Sequence, residues 1–401
     1  MKRWLYIMLL LLASTIVRAN GDTLSIAERN AQQGFNDTIG RFADDFVEAY
    51  VVIVDPSGES MYSIFGHACL RLTCPYYGLD YFYSYVSEDI EGKVFRFLLN
   101  DLKMGLVALT YDEYIHEYAV EGRGVRMYKL NLPPEVEIEL CRICDRHVSE
   151  GMYLEYDYMK RGCTVSIVHM INEAIIAANK AYSTQYSIAY PQWDESFDRT
   201  LREICYCSAP HDWNMFFAMS LVGGDIDNSS ISKVEKMVIP RDLVNVWQKS
   251  TIEDEDLLAQ ESVELLPSVN HYNGNLISPL MIIVLLLILS IANLFWNKPY
   301  FDWTILGIQT LLGLLMVWLL FSPLPGSEWN WLIIPFNPLP AICWKWREKW
   351  AIPYAGIIVL WSVGMILSPH RLVGTEHLLL AIIFVITLVK PYIRNYKFFK
   401  V

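Results

Sequence analysis

The 401-residue chain has few charged residues, and they are unevenly distributed. Only 19% of its residues are charged, whereas 53% are hydrophobic and the mean hydropathy is +0.25, values that an ordinary soluble protein rarely has. Residues 1–275 contain 23 Lys and Arg against 40 Asp and Glu, while residues 276–401 contain 9 against 4. The acidic first part cannot neutralise a run of phosphates, so we expect no nucleic-acid partner. The apolar last part is predicted to lie in a membrane.

The sequence also lacks the common cofactor-binding patterns. It has no glycine-rich phosphate loop, no internal repeat and no complete set of metal ligands. Cys141, Cys144 and His147 have zinc-like spacing along one helical face, but a closed zinc site needs a fourth ligand and none is obvious. We therefore expect no cofactor and no metal.

Residues 1–19 have the pattern of a secretory signal peptide. Lys2 and Arg3 precede an apolar run over residues 4–16, and Ala19 ends a segment suited to signal-peptidase cleavage. The run is short for a membrane span, which needs about 20 apolar residues, although a retained signal anchor is the alternative. In either case residues 20–275 are predicted to lie outside the cytoplasm.

Five apolar stretches follow one another in the predicted membrane bundle of residues 276–401. They cover residues 277–296, 303–321, 331–344, 351–367 and 377–389. The third is short and contains Pro335, Pro338 and Pro340, so it could be re-entrant instead of spanning. If all five cross, the basic residues of 345–349 and of the C-terminus lie in the cytoplasm and only Arg371 lies outside. This charge distribution favours five spans and a cytoplasmic C-terminus.

The exported part, residues 20–275, has the hydrophobic pattern of a mixed α+β domain. Strands are predicted over 49–54, 65–72, 81–86 and 125–130, and helices over 134–149 and 163–178. Its seven cysteines include three close couples, which are Cys69 with Cys74, Cys141 with Cys144, and Cys205 with Cys207. The sequence leaves open whether these couples are oxidised. Cys163 is the one cysteine without a neighbour in sequence.

Cys163 also has the better position for chemistry. It begins a predicted buried helix, whose N-terminal dipole stabilises a thiolate, and it follows Lys160 and Arg161. His67 is the candidate base, on a strand whose alternate residues share one face. The alternative is a structural cysteine and a core histidine.

A third residue should orient the imidazole of His67. The sequence offers several candidates without choosing among them, namely Tyr85, Tyr83, Asp80 and Ser63.

Several motifs resemble those of the bacterial lipoprotein N-acyltransferases. They are F-G-H-A-C-L-R at 65–71, D-Y-F-Y-S-Y at 80–85, E-G-R at 121–123, the Tyr156, Tyr158 and Cys163 spacing, and N-W-L-I-I-P-F-N-P-L-P at 330–340. The resemblance implies a circularly permuted papain-like domain, similar to lecithin-retinol acyltransferases, joined to a transmembrane bundle of a bacterial inner membrane. His67 and Cys163 match the family pattern, whereas Gly162 replaces an Asn that usually precedes the cysteine.

The resemblance further implies an acyltransferase with a phospholipid donor and an apolipoprotein acceptor. The acyl chain would pass through a Cys163 thioester to the α-amine of the diacylglyceryl cysteine. Arg71, Arg123 and Tyr158 are candidate substrate-binding residues, and Asn337 is a candidate for lining a lipid cavity; ion-paired arginines and a kinked packing helix are the alternatives. The rival functions are a cysteine hydrolase, either cell-wall peptidase or phospholipase, and a receptor or assembly factor without catalysis.

Overall fold

The computed structural model describes most of the chain. The described residues are 47–58, 63–74, 79–88, 92–151, 154–157, 160–192, 212–221, 237–270, 272, 274–324, 327, 330–368 and 373–393. The predicted signal peptide, Tyr158, Cys205, Cys207 and Arg371 lie outside these residues.

A seven-stranded antiparallel sheet forms the centre of the exported domain. Its strands, in the order in which they are paired, are β10 (Val263–Leu266), β5 (Val125–Leu130), β1 (Glu48–Val54), β2 (His67–Cys74), β3 (Leu79–Ser87), β4 (Lys103–Thr110) and β6 (Leu154–Glu155). A small second sheet contains β7 (Ile188–Ala189), β8 (Thr251–Ile252) and β9 (Glu255–Asp256). The predicted α+β class is confirmed, and β4 is a strand that the sequence pattern did not reveal.

Helices cover both faces of the large sheet. The helices of this part are α1 (Val94–Leu98), α2 (Tyr111–Glu121), α3 (Pro134–Glu150), α4 (Cys163–Tyr182), α5 (Trp213–Leu221) and α6 (Pro240–Trp247). Helices α3 and α4 pack on the face that carries Leu70 and Tyr83, forming the main apolar core. Helix α2 packs on the other face, where the Tyr114 ring stacks on Phe82 with centroids 4.2 Å apart. Because strand residues alternate between faces, each residue of β2 is assigned to one of these two environments.

Among the described residues of the C-terminal part, four helices are long and apolar enough to cross a membrane. They are α7 (Pro279–Trp296), α8 (Pro299–Leu319), α10 (Arg347–Leu367) and α11 (Thr375–Ile393). Four of the five apolar stretches in the sequence are therefore confirmed as helices of near-spanning length. The prediction of five membrane helices is wrong for the third stretch, because its prolines interrupt helical hydrogen bonding.

The third stretch consists of two 3₁₀ turns, Trp331–Ile333 and Trp344–Trp346, on either side of the short helix α9 (Leu339–Ile342). At its beginning, the Asn330 amide donates to the carbonyl oxygen of Ser220 in the exported domain, at 2.9 Å. At its end, the Trp344 ring lies 5.3 Å from the ring of Trp303, which is at the start of α8. The broken segment thus runs from the end of the bundle that contacts the exported domain to the opposite end.

The contacts of α11 define the same two ends. His377, in its first turn, lies 2.9 Å from the Ser220 hydroxyl of the exported domain. Lys390, near its other end, forms an ion pair of 2.7 Å with Asp302 in the first turn of α8. Helix α11 therefore runs away from the exported domain, and the cytoplasmic position of the C-terminus stays a prediction.

Candidate thiol site

Cys163 is the first residue of α4, and its side chain is partly exposed. Gly162 precedes the helix in an extended conformation and provides no side-chain cap, and the first helical hydrogen bond runs from the Ser166 N–H to the Gly162 oxygen. The backbone N–H groups of the first turn have no partner within a helix, so they carry partial positive charge. The sulfur is therefore placed at a helix end that stabilises negative charge.

The imidazole of His67 forms a hydrogen bond with the Cys163 thiol. Burial by itself would raise the pKa of this thiol, but the charge and hydrogen bond of His67, the Ala68 N–H and the Thr164 hydroxyl together lower the pKa to about 7. Near neutral pH a large fraction of Cys163 is thus thiolate, the form that acts as a nucleophile. The pairing of His67 with Cys163, 96 positions apart, is brought about by the fold.

The geometry of β2 and β3 makes room for this contact. Their described pairing runs from Cys74–Leu79 to Leu70–Tyr83, whereas β2 itself extends back to His67 and β3 continues to Ser87. At the end of β2 that pairs with β1 but not with β3, the Ala68 N–H donates to the sulfur of Cys163. The ladder therefore ends where the first turn of α4 approaches the sheet.

Ser84 on β3 is the third member of the cluster. Its hydroxyl lies 2.8 Å from Nε2 of His67, and its side chain is buried. This arrangement lets Nδ1 accept the thiol proton while the hydroxyl of Ser84 accepts a hydrogen bond from Nε2–H.

The residues predicted for this third position lie elsewhere. The Tyr85 hydroxyl is 2.9 Å from Nδ1 of His147, and Tyr83 is buried in the core beneath α3 and α4. The Ser63 hydroxyl donates to the Ser57 oxygen at 3.0 Å. Tyr83 pairs with Leu70, so Tyr83 and Tyr85 point to the opposite sheet face from His67. Of the three candidates on β3, Asp80 alone shares the face of His67, and its carboxylate is paired with Arg71.

Arg71 and Asp80 form an internal ion pair. Nε of Arg71 donates to Asp80 at 2.6 Å, Nη2 donates to the other carboxylate oxygen at 2.5 Å, and Nη1 contacts the Met127 sulfur. The guanidinium also lies over the rings of Phe82 and Tyr111. A phosphate would have to displace Asp80 to bind Arg71, so these contacts do not favour the predicted role.

Arg123 is buried, and only some of the hydrogen-bond donors of its guanidinium have partners among the described residues. Nε donates to the Asp55 oxygen at 2.7 Å, Nη1 forms an ion pair of 2.9 Å with Glu121, and the guanidinium lies over Tyr118. Nη2 has no hydrogen-bond partner among the described residues. The role of Arg123 in substrate binding therefore stays a prediction.

Asn337 stabilises the broken segment of the bundle. Its amide donates to the carbonyl oxygens of Ile333 and Ile334 and contacts the Tyr354 hydroxyl at 2.6 Å. These bonds satisfy carbonyl groups that the interrupted helix leaves open. The predicted contact of Asn337 with lipid stays untested, and Tyr158 lies outside the described residues.

The other described cysteines in the exported domain are buried, free thiols. Burial raises the pKa of Cys69, Cys141 and Cys144, so these sulfurs are protonated at neutral pH. Cys69 and Cys74 are five residues apart on β2 and thus point to opposite faces, which prevents the predicted local couple from forming a disulfide. Among the described residues no group of three or more His, Cys, Asp or Glu could hold a metal ion.

An apolar path connects the thiol site to the bundle. Burial raises the pKa of Tyr156, and the nearby Cys163 raises this pKa further. The Tyr156 N–H donates to the Leu102 oxygen at 2.8 Å. Tyr156 packs both against the core of the exported domain and against the apolar cluster of the bundle, which includes Phe97 and Leu102. The site therefore lies at the side of the domain that meets the membrane helices.

These features define a membrane protein with an extracytoplasmic α+β domain, in which a histidine and a serine accompany a low-pKa thiol. Residues 44–197, which include both Cys163 and His67, match the family model described as the Lnb N-terminal periplasmic domain. Over these residues the chain is similar to that periplasmic domain, in agreement with the resemblance of its motifs. No curated protein and no solved structure matches the chain.

Proposed function

We propose that the protein transfers an acyl chain from a membrane phospholipid to the α-amine of a lipid-anchored apolipoprotein. The observation that carries this proposal is the placement of an activated thiol beside an apolar path to the bundle. Both proposed substrates are confined to the membrane surface, where a soluble thiol enzyme would have no special access to them. The order of a histidine strand before a cysteine helix also supports a circularly permuted papain-like fold for the exported domain.

The first half of the reaction forms a thioester. His67 takes the proton of Cys163, and the thiolate attacks the ester carbonyl of the phospholipid. The free N–H groups at the start of α4, including those of Cys163 and Thr164, are placed to stabilise the oxyanion of the tetrahedral intermediate. The C–O bond then breaks, and protonated His67 returns the proton to the leaving lysophospholipid.

The second half transfers the acyl group to nitrogen. The neutral α-amine of the acceptor attacks the thioester carbonyl, His67 accepts a proton from the amine, and the C–S bond breaks to release the Cys163 thiolate. Transfer of that proton to the thiolate restores the resting dyad. The amide product is more stable than the thioester, so the second step is energetically downhill.

The test follows the acyl group in proteoliposomes that contain acyl-labelled phospholipid and a diacylglyceryl acceptor peptide. We expect a labelled thioester on Cys163 without acceptor, and a labelled amide once acceptor is added. Cys163→Ala should abolish both products. Cys343→Ala is the matched control, because Cys343 is also a partly exposed free thiol but belongs to the bundle.

Two results would contradict the proposal. Amide formation by the Cys163→Ala protein would exclude the thioester mechanism. Release of labelled free fatty acid in place of the amide would instead favour a hydrolase on the same dyad.

A further inference from the structure

Helix α1 exposes apolar side chains in an unusual way. It lies in the connection between β3 and β4, and its Phe97 and Leu98 are buried against the apolar cluster of the bundle. Phe95, by contrast, is 76% exposed and the adjoining Leu99 is 50% exposed. A phenylalanine this exposed to water forgoes a favourable burial, so its surroundings in the membrane need to be considered.

The position of α1 relative to the bundle is fixed by a hydrogen bond. The hydroxyl of Ser322 donates to the carbonyl oxygen of Leu98. Ser322 comes just after α8, at the end of the bundle that contacts the exported domain, and it follows two exposed apolar residues, Leu320 and Phe321. Helix α1 thus lies beside the end of α8 that is nearer to the exported domain.

Phe95, Leu99, Leu320 and Phe321 together form what we call the apolar rim. Phe95 lies in α1 and Leu99 directly follows it, while Leu320 and Phe321 directly follow α8, which is long and apolar enough to span a membrane. The charged residues next to α1 pair with one another, because Glu88 binds Lys93 at 2.8 Å and Arg96 at 3.0 Å, and Arg96 also binds Asp101. The charges are thereby held together at the base of the connection, while Phe95 and Leu99 remain uncovered.

We infer that α1 is an interfacial anchor whose Phe95 and Leu99 insert among the phospholipids of the outer leaflet. The occupant of this surface is lipid, because α1 is bonded to the segment that directly follows α8, a helix long and apolar enough to span a membrane. The second part of the inference rests on the proposed function. The anchor begins the apolar path through Phe97, Leu102 and Tyr156 to Cys163, so an acyl chain enters the site beside α1.

The anchor itself is tested without catalysis. A photo-crosslinking phenylalanine analogue, p-benzoylphenylalanine, replaces Phe95, Leu99, Phe321 or Ile176 in full-length protein in vesicles of labelled phosphatidylethanolamine. Position 321 is the lipid-exposed reference. Ile176 is the matched control, since it is 68% exposed but lies on α4 about three and a half turns beyond Cys163. We expect lipid adducts at 95, 99 and 321 and none at 176. Adducts at 321 without adducts at 95 and 99 would overturn the inference.

The entry path is tested by donor presentation. Phe95→Asp should slow thioester formation from vesicle phospholipid by about tenfold, while a water-soluble short-chain acyl donor should react at the wild-type rate. Ile176→Asp should behave as wild type with both donors. Equal slowing with both donors would overturn the path, because it would indicate damage to the thiol site. Lipid adducts at 95 in a protein that never forms a thioester would uphold the anchor and reject the proposed function.

Discussion

Removing the imidazole of His67 should raise the pKa of Cys163 and slow its alkylation. In the folded protein burial raises the pKa of the thiol, and the His67 contact does most to reverse this effect, giving a pKa of about 7. We expect His67→Gln to return the pKa to about 9 or higher, a change of at least two units that corresponds to about 2.7 kcal/mol. At pH 7 the thiolate fraction then falls from about one half to about 1%, roughly fiftyfold.

The rate of alkylation should fall less than the thiolate fraction. A more basic thiolate is intrinsically more nucleophilic, which offsets the loss by about six- to tenfold for a rise of two units. The net expectation is an alkylation rate at pH 7 about five- to eightfold lower, with the midpoint of the rate–pH profile moving from about 7 to at least 9.

The assay is iodoacetamide labelling of Cys163 between pH 5 and 10, followed by mass spectrometry of the peptide that contains it. His116→Gln provides the control, because His116 is an exposed residue on α2. A midpoint that stays near 7 in the His67→Gln protein would refute the assignment of His67 as the activating group. A wild-type midpoint near 9 would refute the low pKa itself.

Two further predictions concern single hydrogen bonds and close packing. Ser84→Ala should lower kcat/KM about 5- to 100-fold and move the alkylation midpoint upward, since it removes the partner of Nε2 of His67; Ser63→Ala should leave that midpoint unchanged. An unshifted midpoint with Ser84→Ala would limit this serine to a structural role. Gly313→Ala should destabilise the bundle by about 1–3 kcal/mol, because its new Cβ would lie 2.5 Å from the Asn337 Cα atom. Gly307→Ala, in the same helix with no atom within 4 Å, should be neutral or stabilising in thermal unfolding, and equal effects of the two would contradict the packing argument.

The sequence by itself determined the elements in which local chemistry is decisive. Strand β5 begins and ends where its alternating residues predict, and the helix from Cys163 follows from its long apolar run. Four of the apolar stretches form long helices, because the length of an apolar run is enough to predict a membrane-spanning helix. Cys163 and His67 could also be selected, since a cysteine at a helix start and a histidine on a strand have intrinsic chemical roles.

Tertiary structure decided which groups meet. The register of β2 with β3 placed Ser84 beside His67 and turned Tyr83 and Tyr85 to the other face, and a one-residue difference in register reverses such an assignment. The partners of Arg71 and Arg123 likewise came from neighbouring elements that no local pattern identifies.

In the membrane part, the third apolar stretch likewise depends partly on local sequence and partly on tertiary structure. Its prolines predict a broken helix. The path of the segment through the bundle depends on contacts with distant residues such as Ser220 and Trp303. The acyl path proposed here has the same origin, because α1, Leu102 and Tyr156, which are distant in sequence from the membrane helices, pack in one apolar cluster with them. The local sequence determines secondary-structure propensity and the chemical character of each side chain. The distances between reactive groups depend on how remote segments pack.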